Sequence, residues 1–284
     1  MVEMLKLPNV SRTLDCLVLK MTMDSRVSDL LKRSSLIKSA CNQLQTSSKF
    51  ALLLESVLML GNVLNNADEE ANRIKVVKGI SFDSFAALSG TKGYDKKTSL
   101  LVYLEKILSV KLPDVFSVYD ELTDLSAAAH ESFDGIRQEE DDLSKQLKAV
   151  TDELKSSQNL LDSGRLIGEE KKDVEDSIHE LEEFASTAQS TISKLHGTVE
   201  DARESFSGLL AYFCQEPKQK SEDFFNYVIV FLDELMKCHK QQEEKRERIQ
   251  NKKKKEEELR AMKKKEDIAP NTALSSLFDQ LTTK

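Results

Sequence analysis

Along most of the chain, apolar residues recur at three- and four-residue steps, a spacing that gathers them on one face of a helix. Residues 9–46 read as two helices. Asn9 or Ser11 caps the first, which turns Leu14, Leu17 and Val18 inward; Asp24 or Ser25 caps the second, which buries Val27, Leu30, Leu31, Ile37, Ala40, Cys41 and Leu44. Thr46 or Ser47 caps a third, whose inward face is Phe50, Leu53, Leu54, Val57, Leu58, Leu60 and Leu64. That helix ends in Gly61-Asn62-Val63-Leu64-Asn65-Asn66, where side-chain amides can bond backbone groups left open at a helix end. Short polar joints and more helix follow through Leu108, so this part of the chain reads as a compact helical lobe.

Past Pro113 the pattern becomes elongated. Leu122, Leu125, Ala129, Phe133 and Ile136 step by three and four, and Leu143, Leu147, Val150, Leu154 and Leu161 carry the seam to Ser163-Gly164. On a second arm Val174, Ile178, Leu181, Ala185, Ala188, Ile192, Leu195, Val199, Ala202, Phe206, Leu209 and Phe213 alternate steps of four and three, the heptad seam of a coiled coil. At 1.5 Å per residue this arm spans about 58 Å. The short connection around Ser163, Gly164 and Gly168 predicts an antiparallel helical hairpin. Pairing of the arms between chains would produce the same seam.

Pro217 ends the rod by removing a donor and clashing with the preceding turn. A new helix opens near Ser221-Glu222-Asp223, whose acids suit its positive end, and sets Phe224, Phe225, Val228, Phe231, Leu232 and Leu235 on a face that needs a partner surface. From Lys240 to Lys265 apolar residues nearly vanish, and Lys252 to Lys255 followed by Glu256 to Glu258 place opposite charges four apart, as on a solvated helix. Ala269-Pro270 is expected to break that helix before a small amphipathic turn at Leu274, Leu277, Phe278 and Leu281. The fold class is therefore all-α: a compact lobe, a long antiparallel coiled-coil hairpin and a small helical end.

Composition narrows the functions available. No window holds the roughly 18 consecutive apolar residues that span a bilayer, and Met1 to Leu7 lacks the flank and core of a signal peptide, so the expectation is a cytoplasmic protein. Cys16, Cys41, Cys214 and Cys238 are too scattered for a metal pair or a disulfide scaffold. Residues 114–200 hold 22 acidic against 8 basic side chains, which argues against wrapping nucleic acid there, while residues 237–267 hold 13 basic against 8 acidic. No phosphate-binding loop of the Gly-x-x-x-x-Gly-Lys type occurs, and His130, His179, His196 and His239 sit in no nucleophile motif. The expectation is a non-enzyme without metal or cofactor.

Between Gly61 and Leu104 a set of phrases stands in order: Gly61 to Asn65 at a helix end, the acidic and small residues Asp68 to Asn72, Lys78-Gly79-Ile80, Phe82 to Leu88, Thr91-Lys92, and Leu100 to Leu104. In wording and order these resemble the formin homology 2 domain of formins, the actin-assembly factors. Tyr212-Phe213-Cys214-Gln215-Glu216-Pro217 ahead of Phe224-Phe225 and Phe231 resembles the opening of that family's post region. Val63 stands for the usual aromatic, Ile80 for a phenylalanine, Gly90 for an aspartate and Cys214 for a glycine.

The resemblance implies an actin-binding domain that works as a head-to-tail dimer around the barbed filament end, nucleating filaments and staying with the end as it grows. It divides the chain into a partial knob at 1–113, a coiled-coil rod at 114–213, a post at 214–262 and a charged tail with a short amphipathic segment at 263–284. Lys92 matches the family's loop lysine that contacts actin, and Lys78, Lys96 and Lys97 lie in the same polar loops. Gly61, Asn62, Leu64 and Asn65 form a structural motif; Tyr212, Phe213, Phe224 and Phe225 line the post where a partner's lasso binds. Lasso, linker and the first part of the knob have no counterpart here, and there is no Trp. A second formin chain would then engage the post if a lasso is supplied, and profilin would enter only through an upstream segment. The competing class is a non-catalytic coiled-coil scaffold or tether in the cytoplasm, which leaves the ordered phrases unexplained.

Overall fold

The structure is a computed structural model and describes residues 10–65, 79, 83–93, 98–164 and 167–281. Its helices, in chain order, are α1 (Val10–Thr46), α2 (Ser48–Asn65), α3 (Asp83–Gly90), α4 (Leu100–Lys111), α5 (Leu125–Ala128), α6 (Phe133–Asp162), α7 (Glu169–Tyr212) and α8 (Ser221–Leu281), with a 3₁₀ segment at Pro113–Asp120. The protein is all-α; among the described residues the extended pairing is one isolated bridge, Lys92 with Ser99. No single helix among them is long and apolar enough to cross a membrane. The chain divides into two compact units, Met1–Ala87 with Asp114–Phe231, and Leu88–Pro113 with Leu232–Lys284.

In the first unit α1, α6 and α7 lie along one another. Side-chain pairs give their directions. Gln158 with Glu182 and Glu140 with His196 run oppositely along α6 and α7, so these two form an antiparallel hairpin within one chain. Arg26 with Gln146 and Arg33 with Glu139 set α1 antiparallel to α6, whereas Lys20 with Glu180 and Lys38 with Asp201 set it parallel to α7. The heptad seam of α7 is buried from Ala188 to Leu209, as its spacing predicts.

Two expectations for residues 9–46 are overturned. There is no break at Asp24 or Ser25: α1 is one helix of 37 residues, and both side chains are exposed on its outer face. Its buried seam is Cys16, Leu19, Met23, Val27, Leu30, Ser34, Ile37, Cys41 and Leu44, so Leu14, Leu17 and Val18 point outward, 45–59% exposed. The phase is set by the long downstream seam, and Ser34 keeps it because its hydroxyl donates to the Leu30 carbonyl instead of remaining unpaired. The rod is therefore three helices thick along α1, not a bare hairpin.

α1 and α2 meet at a 57° bend at Ser47. Ser47 is the N-cap: its Oγ accepts from the Phe50 N–H at 3.0 Å and donates to Glu121 at 2.6 Å. Glu121 also accepts from the Lys49 N–H at 3.2 Å, while Lys49 Nζ donates to Ser117 Oγ at 2.8 Å. One carboxylate from across the unit thus accepts both the Ser47 hydroxyl and the open Lys49 N–H at the start of α2. The Ser47 hydroxyl, with the donors of Lys49, holds the Glu121 carboxyl below its ordinary pKa.

The seam expected from Leu122 onward is interrupted, since α6 begins only at Phe133 behind an extended Ser132. Arg33 fixes the turn before it, donating from Nε to Glu131 at 2.6 Å and from a terminal nitrogen to Glu139 at 3.0 Å. At the far end α8 is helical through Pro270, so the expected break at Ala269-Pro270 is absent. An internal proline removes one donor and strains one turn, which a helix can bridge.

Candidate functional site

The second unit carries Lys92. Its loop is closed by backbone bonds from the Gly93 N–H to the Thr98 carbonyl at 2.8 Å and from the Leu100 N–H to the Thr91 carbonyl at 2.9 Å, on either side of the Lys92–Ser99 bridge. Glycine at position 93 leaves room for the Tyr103 ring, because a Cβ there would lie 2.6 Å from it and would have to push it aside. Lys106, one turn on, places its ammonium 5.4 Å from the centroid of that ring. Lys92 and Lys106 are exposed, and Ile107 and Val110 continue outward along α4, 47% and 77% exposed. The result is a cationic and apolar surface built on one short helix. Lys78, Lys96 and Lys97 lie outside the described residues.

The inward side of α4 holds a feature that sequence reasoning missed. Glu105 is fully buried, yet it accepts from one Arg246 nitrogen at 2.9 Å on each oxygen and from Ser109 Oγ at 2.5 Å, and His239 Nδ1 stands 3.0 Å away. A carboxylate is costly to bury unless it is paired and bonded, and here it is both. The signal was present: Glu105 falls among Leu101, Leu104 and Leu108, the buried seam of α4. A charge on such a seam announces a buried partner.

Gly61, Asn62, Leu64 and Asn65 occupy the last turns of α2 in the first unit, with Gly61 and Asn62 half-buried and Leu64 43% exposed. The aromatic residues of the rod end are divided between interior and surface. Phe224 and Phe225 are fully buried and form no open patch, because Phe206 lies 5.9 and 5.8 Å from them and Phe213 lies 6.1 Å from Phe224. Phe213 in turn packs edge-on to Phe50 of α2 at 6.1 Å. Of the four aromatics singled out there, Tyr212 alone faces out, 64% exposed. Tyr227 and Val230, 46% and 55% exposed, were missed because the helix face was phased on its more apolar neighbours. A polar groove of about 630 Å³ beside Tyr227 is lined by Cys214, Gln215, Lys218, Lys220 and Asp223 among others.

Cys214 sits where α7 ends, at φ +53°, and the Gln215 N–H reaches back to the Leu210 carbonyl at 2.8 Å. This is the left-handed helix stop at which glycine is the easiest residue.

A model of the Formin Homology 2 Domain matches residues 1–237. Formin-J of Dictyostelium discoideum is 24% identical over 243 residues, covering 86% of this chain and 9% of that protein. Formin-like protein 17 of Arabidopsis thaliana is 28% identical over 256 residues, 87% of this chain and 48% of its own length. Protein diaphanous homolog 3 of Homo sapiens is 26% identical over 239 residues, 82% of this chain and 18% of its own. The chain thus spans half or less of each of these relatives.

Proposed function

The chain belongs to the formin homology 2 family, and from that premise we propose that it is an actin-binding element of a factor that nucleates filaments and remains on the growing barbed end. What carries the reading is the Lys92 loop. It is short, tied at both ends by backbone bonds and backed by a ring, so an exposed ammonium is presented in one place and little order is lost on contact. Lys106, Ile107 and Val110 extend the same surface with charge and apolar area. Lys78, Lys96 and Lys97, close to Lys92 in sequence, are proposed as further actin-contacting cations.

At the rod end we assign the lasso contact to Tyr212, joined by Tyr227 and Val230, while Phe213, Phe224 and Phe225 support that surface from beneath. A second formin chain supplying the lasso would dock there. The protein acts by surface complementarity without making bonds, on the actin cytoskeleton of the cytoplasm.

The test is seeded actin elongation with the chain supplied together with a lasso-bearing fragment. The native chain is expected to alter barbed-end growth, and Lys92→Asp to lose most of that effect with its melting curve unchanged. Equal behaviour of the two would return the chain to the class of helical tethers.

A further inference from the structure

The seam that α4 turns inward mixes two kinds of packing. Leu101, Leu104 and Leu108 are apolar and hold α4 without direction, while Glu105 among them is bonded atom to atom. An apolar residue of similar volume in place of a buried ion pair is often as stable or more so, and stability alone therefore does not account for the charge. One Arg246 nitrogen lies 2.9 Å from each Glu105 oxygen and 3.3 Å from Ser109 Oγ, which joins α8 to two successive turns of α4. His239, two turns before Arg246, brings Nδ1 to 3.0 Å from the same carboxylate. α8 is the frame in this pairing, 61 residues long with Leu232, Leu235 and Cys238 buried, whereas α4 has 12 residues.

The outward side of the same short helix carries the surface assigned to actin. At about 100° per residue, Lys106 lies about 100° around α4 from Glu105, and Tyr103 and Ile107 about 160°. A rotation of α4 by about 20° carries atoms about 6 Å from its axis through about 2 Å. Leucine packing tolerates a slip of that size, but a hydrogen bond keeps its strength over only about 0.5 Å. The Lys92 loop moves with the helix, because the Leu100 N–H in its first turn donates to the Thr91 carbonyl and the Tyr103 ring backs Gly93.

We infer that Arg246 is a positioning residue for the actin contact. Acting through Glu105 and Ser109, and assisted by His239, it fixes the rotation of α4 and with it the places at which Lys92, Lys106 and Ile107 are presented. The inference rests on the actin reading of the Lys92 loop and adds to it residues set back from that surface. Its energetic content is pre-organisation: one rotation is held in advance, and order is not lost again when the partner arrives.

The experiment is seeded actin elongation with the full chain and a lasso-bearing fragment, scored as the concentration of chain that gives half the effect. Glu105→Leu with Arg246→Met removes the buried charge together with its partner, and should keep near-native melting and protected Gly93 and Leu100 amides. With about three to five neighbouring rotations open, the competent fraction falls to about a third to a fifth, and about three- to fivefold more chain is needed. A purely structural role predicts instead that potency returns with stability. Arg246→Lys should act close to the native concentration, because a single nitrogen makes both bonds and an ammonium can stand in its place. Ser109→Ala keeps the ion pair while releasing one turn, and should need about twofold more chain. A folded double variant as potent as the native chain, or Arg246→Lys no better than Arg246→Met, overturns the inference. Should the double variant not fold, native potency of Ser109→Ala overturns it. If Lys92→Asp acts like the native chain, the actin reading has failed and the inference falls with it; if Lys92→Asp loses the effect and the folded double variant keeps it, only the positioning role has failed.

Discussion

Arg246→Met tests the Glu105 clamp where its energetics are most exposed. Glu105 is fully buried, and Arg246 supplies a charge-assisted bond at 2.9 Å to each of its oxygens. Such bonds are worth roughly 1.5–3 kcal/mol each, and stranding a buried charge costs about 3–5 kcal/mol. Both figures must be reduced, because one nitrogen serves both oxygens, the Arg246 side chain is 46% exposed, and Ser109 and His239 remain. The expected loss is about 2–3 kcal/mol within the second unit. Hydrogen exchange is the suitable assay, since it reads this unit locally; amides in α4 and in α8 up to Arg246 should exchange about 30- to 150-fold faster. The double variant Glu105→Leu with Arg246→Met removes the buried charge together with its partner, and should recover most of the loss. Unchanged exchange in the single variant, or a double variant no slower than the single, would refute the account.

Glu121 predicts an acid limb. Its folded pKa is depressed by the Ser47 hydroxyl, so the stabilisation is present above the ordinary carboxyl value of about 4.5 and is lost as pH falls through the lower folded value; Glu121→Gln should flatten that limb in thermal melts taken below pH 4.5. Cys214→Gly should raise stability by about 0.5–1 kcal/mol in urea titration, since glycine relieves the positive φ at the end of α7. Burial pushes the Cys41 thiol up to about 12, and desolvation raises Cys16 and Cys238, so brief iodoacetamide treatment of the native chain at pH 8 should modify exposed Cys214 first by peptide mass analysis. Gly93→Ala should displace the Tyr103 ring at a cost of about 1–2 kcal/mol and lower the effect on seeded elongation toward that of Lys92→Asp.

Residues whose information is periodic were legible in the sequence. The α7 seam from Ala188 to Leu209 follows from spacing alone, and residue type narrows the α2 cap to Thr46 or Ser47, of which the structure uses Ser47. The continuity of α1 was not legible, because Asp24-Ser25 has the composition of a helix start and only packing against α6 and α7 shows those residues to be solvent-facing. Pro270 misled for a related reason: its local cost is real, but one lost bond does not end a helix of 61 residues. The Lys92 loop was found through its order of phrases, whereas Tyr103, Lys106 and Glu105 escaped notice because their roles depend on the direction each takes around α4. Phe224 and Phe225 show the converse case. Their aromatic character was read as an open surface, and Phe206 and Phe213 of the same chain had already filled the need.

The second unit makes α4 a shared part. Tyr103 and Lys106 back the closed loop on its outward side, while Glu105, between them in sequence, points inward to the residues that orient α8. Adjacent residues on a helix are about 100° apart, so one turn of α4 serves two directions without either set of contacts crowding the other. Buried ionic groups of this kind add little net stability over apolar replacements, but they impose a single rotation. Apolar side chains such as the buried Leu104 and Leu108 of α4 would accept several neighbouring rotations of α8; a two-oxygen grip on Arg246 would not. The clamp therefore matters less as a source of stability than as the device that decides which face of the charged helix meets solvent.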